Sequence, residues 1–268
     1  MTPPARGWAL AEALVAAVLT AVVAAAALGG LVGLQRRAAG AAERIAMASS
    51  LRTAAQVLHA ELGNLDPGEG DLVTASPDRM TYRAVRGAGI GCGAATDGIV
   101  VRTGTWRSLR LPAPGRDSLL LLEAGATWRT LPLAGPIRSA TCPDGSPGLV
   151  FPTTAPLPGD STTVVRTFEV MELRHYLSGA NAWLGLRSVS AGEVIQPVAG
   201  PFRSSAAPFS YLDGSGTATS DIRLVRRVRA GFHGITRPDG AAGAGARADL
   251  VRRDSLETVV ALRGGSPP

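Results

Sequence analysis

The sequence predicts an α+β fold in which one long N-terminal helix covers a mostly antiparallel β-sheet. Three observations lead there. The front of the chain holds an apolar run with a single charge. The next thirty residues keep apolar side chains at helical spacing. From residue 66 onward, short apolar runs alternate with turn-rich stretches. The composition agrees: of 268 residues, 46% are hydrophobic, 18% charged and 4% aromatic, with 33 glycines and 19 prolines. That is too apolar for a disordered chain and too irregular for a collagen or a coiled coil.

The apolar run comes first. Residues 8–35 carry one charge, Glu12, and the next charges are Arg36 and Arg37. A membrane span needs about 20 apolar residues, so the run is long enough. A soluble helix of this length normally has a polar face, and this one has none. A secretory signal peptide is the competing reading, with Ala24-Ala25-Ala26-Ala27 offering a cleavage site. Its apolar core would be roughly 7–15 residues, shorter than the run seen here. Glu12 also argues against it. A carboxylate at the centre of a bilayer costs on the order of 2.5–3.5 kcal/mol on the insertion scale, so it calls for a partner.

The residues around Glu12 suggest that partner. The run Gly7-Trp8-Ala9-Leu10-Ala11-Glu12-Ala13-Leu14 resembles the class III signal of type IV pilins and pseudopilins. In that family a short basic leader ends in glycine, a bulky apolar residue follows, and a glutamate lies five places after the cut. The resemblance implies a leader of residues 1–7, cleavage after Gly7 and N-methylation of Trp8 by a prepilin peptidase. Trp8 stands where the family usually has phenylalanine. The resemblance further implies that Glu12 pairs with the terminal amine of a neighbouring subunit during assembly. Elementary electrostatics is consistent with this, because the first turn of a helix has unpaired N–H groups and favours an anion. A plain signal anchor with one stray glutamate is the alternative.

The helical spacing continues past Arg36. Met47, Leu51, Ala55, Leu58, Leu62 and Leu65 recur at three- and four-residue steps, one face of an amphipathic helix. Gly63, Asn64 and Asp66-Pro67-Gly68 form a stop. One helix of more than fifty residues is expected, with an assembly or membrane half at 8–35 and an amphipathic half at 36–65. Gly29, Gly30 and Gly33 fall inside it, at about 1 kcal/mol each relative to alanine. Close helix packing, a point of unwinding on assembly, or drift in an Ala/Gly-rich sequence would each account for them.

Residues 66–268 are expected to form the β-rich globular domain. Candidate strands are 80–85, 98–102, 118–123, 128–133, 163–173, 183–189, 221–228 and 256–262. In the last, Leu256, Thr258, Val260 and Leu262 fall on one face. Three further stretches, Val194-Ile195-Gln196-Pro197-Val198, Pro208-Phe209-Ser210-Tyr211-Leu212-Asp213 and Asp221-Ile222-Arg223 to Val228, precede this terminal strand. Together they resemble the PilW/PulJ-type minor pilins and narrow the family likeness to that group.

The remaining motifs carry less. Cys92 and Cys142 would lie in a periplasmic or extracellular domain, an oxidising compartment, where a disulfide is expected. Two buried free thiols are the alternative. The glycine-rich stretch 87–93 lacks the following helix that a phosphate-binding loop needs, and reads as a flexible loop. His59, His175 and His233 have no metal-ligand spacing, and no nucleophile elbow is present. The oxygen-rich stretch from Asp213 to Asp221 reads as a hairpin loop rather than a calcium site. Arg223, Arg226, Arg227 and Arg229 form the densest basic cluster. Within the expected strand 221–228 and its continuation, Arg223, Arg227 and Arg229 would share a face able to meet an anion. No aromatic residues interleave with them, so a nucleic-acid partner is not expected. The net charge of +6 admits an anionic partner without requiring one.

The expected function is that of a minor pilin or pseudopilin. Such a subunit initiates or caps a type IV pilus or a type II secretion pseudopilus. It would be a single-pass protein of the bacterial inner membrane with a periplasmic globular domain, and no enzyme. The resemblance implies as partners the prepilin peptidase and methyltransferase, other minor and major pilins or pseudopilins, the inner-membrane assembly platform and the lipid bilayer. No cofactor or metal is expected. An exported, signal-anchored binding protein, including a DNA-binding competence factor, is the alternative from a different class.

Overall fold

The computed structural model describes residues 6–123, 127–155, 163–205, 207–235 and 253–263. Among these residues a single α-helix, α1, spans Arg6–Leu62. It ends where the sequence puts its stop, with the Gly63 N–H bonding the His59 carbonyl. A short 3₁₀ turn at Pro67–Glu69 follows, capped by the Asp66 side chain accepting from the Gly68 N–H at 2.9 Å. The chain separates into two units: the helix up to Ser49 together with Ile235–Asp254, and a larger unit formed by Ser50–Gly234 and the C-terminal residues from Ser255.

Among the described residues fourteen strands follow the helix: β1 (Leu72–Ser76), β2 (Arg79–Ala95), β3 (Gly98–Arg102), β4 (Arg107–Ser108), β5 (Asp117–Glu123), β6 (Thr127–Pro132), β7 (Arg138–Thr141), β8 (Pro147–Pro152), β9 (Val164–Ser178), β10 (Asn181–Ser188), β11 (Gln196–Phe202), β12 (Phe209–Leu212), β13 (Arg227–Ile235) and β14 (Arg253–Ala261). Their hydrogen bonds link them in the order β12-β13-β11-β10-β9-β2-β3-β8-β7. β1 and β4 pair with β2, β5 joins β9 to β6, and β14 pairs with β13. These pairings are antiparallel.

This corrects the expected fold class. The expected α+β class, one long helix packed on a mostly antiparallel β-sheet domain, does not hold. Among the described residues strand accounts for 47% and helix for 26%, so this part is a large antiparallel β structure with one N-terminal helix. The sequence reading fell short because six strands are short or interrupted by glycine and proline: β1, β4, β7, β8, β11 and β12. The expected loop at 87–93 is also strand. It lies inside the seventeen-residue β2. Glycine is needed there because Trp106 lies across the strand. A Cβ on Gly87 would sit 2.6 Å from Trp106 Cζ2.

In the larger unit, the last turns of α1 bury Leu51, Ala54, Leu58 and Leu62. Each fully buried leucine is worth about 1.5–3 kcal/mol relative to exposure. Ala54, rather than the expected Ala55, lies at the centre of that seam. A second core joins Ile99, Val101, Trp106, Leu119, Leu121 and Phe151 from β3, β5, β8 and the turn before β4. Phe202 and Phe209 pack on Phe232, with centroids 5.0 and 6.1 Å away. β14 behaves as its alternation implies. Val260 and Leu262 are buried, and the Thr258 hydroxyl lies 3.3 Å from His59 Nε2 on the helix.

Candidate functional site

The first half of α1 is the segment the sequence singles out. Its uniform apolarity has a simple structural consequence: among the described residues its large apolar side chains find no cover. Leu10 is 71% exposed, Val23 67% and Leu34 64%. This is the one helix among the described residues long and apolar enough to cross a membrane. At 1.5 Å per residue the whole helix measures about 85 Å. The backbone hydrogen-bond ladder satisfies its polar groups internally, as a hydrocarbon environment demands. Thr20 obeys the same rule, its hydroxyl donating to the Ala16 carbonyl at 2.7 Å.

Glu12 is the sole charge between Leu10 and Leu34, and it is exposed. It lines a shallow groove with Ala11, Val15, Ala16 and Leu19. Gly7 has helical backbone. The leader residues 1–5 and the side chain of Trp8 lie outside the described part. Among the described residues no atom lies within 4 Å of a Cβ position on Gly29, Gly30 or Gly33, so their helix face is open there.

Cys92 and Cys142 are joined in a disulfide, with Cα atoms 5.7 Å apart. It ties the far end of β2 to the turn between β7 and β8, beside Val100 and Val150.

The basic face is not formed as expected. Residues 222–224 make a turn, and β13 starts only at Arg227. Arg223 therefore does not share a strand face with Arg227 and Arg229. The cause is local. Asp221 accepts from the Arg223 N–H at 3.0 Å and closes a turn. Arg226 then bonds the carbonyls of Arg223 and Val225. Arg229 lies 3.3 Å from Glu257 on β14. The neighbouring oxygen-rich loop is also self-satisfied. Asp213 accepts from the Ser215 N–H, the Ser215 hydroxyl and the Thr217 N–H, and these hold its carboxyl below the usual range. Among the described residues no cluster of three His, Cys, Asp or Glu side chains is placed to hold a metal ion.

One constellation was invisible in the sequence. Glu169 on β9 is 1% exposed and accepts from Arg116 Nε at 2.6 Å, Arg110 Nη2 at 3.1 Å and Arg86 Nε at 3.2 Å. Arg110 also makes a bidentate pair with Asp117 at 2.6 and 2.8 Å. Arg86 is the extra residue of a bulge in β2, between Val85 and Gly87, and reaches Glu61 of the helix at 3.5 Å. The cluster joins helix, sheet and the loop before β5. Its members lie up to 108 positions apart, and only the charged residue set in the apolar run of β9 marks it in the sequence.

The chain matches no family model, no curated protein and no solved structure in the comparisons made. The functional reading therefore rests on the chain's own residues.

Proposed function

We propose that the chain is a membrane-anchored minor pilin or pseudopilin. It is cut after Gly7, methylated on Trp8 and assembled through Glu12 and the apolar half of α1. The observation that carries this is Glu12. A single carboxylate stands five places after a Gly-Trp junction, at the head of an otherwise uncharged run that continues to Gln35. Burial of that carboxylate among helices is offset if a neighbour's terminal amine pairs with it. Two features support the reading. The helix is unbroken from Arg6 to Leu62, and its apolar half finds no cover among the described residues. The disulfide suits an oxidising compartment, and in this reading the β domain lies on the periplasmic side of the inner membrane. The protein's work in this reading is helix packing and subunit recognition, beginning or capping a short filament.

Mass spectrometry of the mature N-terminus tests it. The expected species begins at Trp8 and carries one added methyl group. An N-terminus near Ala27, or an intact Met1, overturns the proposal.

A further inference from the structure

The outer face of the sheet carries a cleft that the filament reading does not use. On that face Arg174 of β9 stands directly across from Arg79 of β2 and from Gly185 of β10. Like charges directly opposite each other on a sheet destabilise it. Most neighbouring arginines there are matched. Arg187 meets Glu172 at 2.8 Å, Arg166 meets Glu69 at 2.7 Å, and Arg83 lies 5.4 Å over the Phe168 ring. Arg79 has a looser contact, 3.9 Å to Asp78.

Arg174 has none of these. Its Nε is buried without a hydrogen-bond partner, as is that of Arg187, but unlike Arg187 it makes no ion pair among the described residues. It lines a cleft of about 510 Å³ together with Tyr176, Ile195, Ser204, Ser205 and Asp78. That volume falls within the range of small-molecule sites. Tyr176 and Ile195 close over Gly185, where a Cβ would come within 2.6 Å of Tyr176 Cε1 and 2.7 Å of Ile195 Cγ1. The cleft is thus walled by an aromatic and an aliphatic side chain. It carries hydroxyls at Ser204 and Ser205 and one unmatched guanidinium.

We infer that this cleft binds a small oxyanion, a carboxylate or a phosphate, held by the Arg174 guanidinium and the hydroxyls of Ser204 and Ser205. A guanidinium fork matches both groups. Such a ligand supplies the partner that Arg174 lacks and screens it from Arg79. Asp78, on the rim and engaged with Arg79, disfavours ligands with a second negative charge on that side.

Calorimetric titration of the full chain in detergent micelles tests this, with inorganic phosphate and the monocarboxylate butyrate as probes in separate arms. Saturable one-to-one binding of at least one probe is expected, and the arm that binds identifies the oxyanion. Arg174→Gln should weaken it at least tenfold, and Arg174→Lys by less. Arg129→Gln, on the outer strand β6, should leave it unchanged. Because Arg174 has no ion-pair partner among the described residues, Arg174→Gln should keep the wild-type near-ultraviolet circular dichroism. Absence of saturable binding in both arms, or equal binding by Arg174→Gln with a native spectrum, overturns the inference. Neither result bears on the mature N-terminus.

Discussion

The Tyr82 hydroxyl donates a 2.9 Å hydrogen bond to Glu61 Oε2, joining the second strand to the last turn of the helix. Tyr82 is fully buried. Burial first, and then the Glu61 charge, push its phenol well above the ordinary value, so it remains a donor. Tyr82→Phe removes that donor and leaves Glu61 with Arg86 alone. A hydrogen bond to a charged group contributes about 1.5–3 kcal/mol. The urea midpoint of the full chain in detergent should fall accordingly, with its slope unchanged.

Glu169 should govern the acid limb of stability. Burial alone would raise its pKa, but a hydrogen bond from Ser188 and the guanidiniums of Arg110 and Arg116 outweigh it and lower the value. A carboxyl whose folded pKa is depressed stabilises the fold above its unfolded pKa, and that contribution is lost as pH falls through the folded value. Glu169→Gln should lower stability at neutral pH by about 3 kcal/mol, because it leaves guanidiniums without their carboxylate. It should also flatten the decline below the ordinary carboxylate range. Urea midpoints measured from neutral to acid pH compare the two limbs, and parallel limbs would sink the assignment.

Removing the disulfide should destabilise the β domain. The bridge spans 50 positions, and the chain-entropy estimate for such a loop is about 4 kcal/mol. The Cys92→Ser, Cys142→Ser double variant should show a lower melting temperature under non-reducing conditions. Adding a reductant should bring the wild type toward the variant and leave the variant unmoved.

Gly87→Val tests the glycine-rich part of β2. The added side chain would meet Trp106 at the heart of the second core, where Trp106 packs on Phe151 at 4.7 Å between centroids. Overpacking of this kind costs about 1–3 kcal/mol. The same substitution at Gly104, where nothing lies near the Cβ position, should leave the urea midpoint almost unmoved.

What the sequence revealed depended on periodicity. The helix and its end at Gly63, the face of β14, and β3 could be read because each repeats a local signal: helical steps, strict alternation or a flanking turn. β2 was cut short because its second half alternates glycine with small residues, and what it packs on, Trp106, lies elsewhere in the chain. The expected strand at 221–228 failed because Asp221 closes a turn, a side-chain-to-backbone preference that competes with extended structure. The Glu169 cluster and the Arg174 cleft escaped notice for a different reason. Both depend on which strands become neighbours, and strand order leaves no trace in any single segment. The fold class erred for the same cause, since strands such as β4, with two residues, exist only by virtue of their partners.

The bridge between Cys92 and Cys142 also decides how the protein responds to being cut. Every peptide bond from Gly93 to Thr141 lies inside the covalent ring it closes. A protease that nicks the chain once in that interval cannot release either piece. The clipped molecule keeps its full mass apart from one added water, and shows two fragments on a gel only after a thiol has opened the ring. Outside the ring the same single cut divides the polypeptide at once.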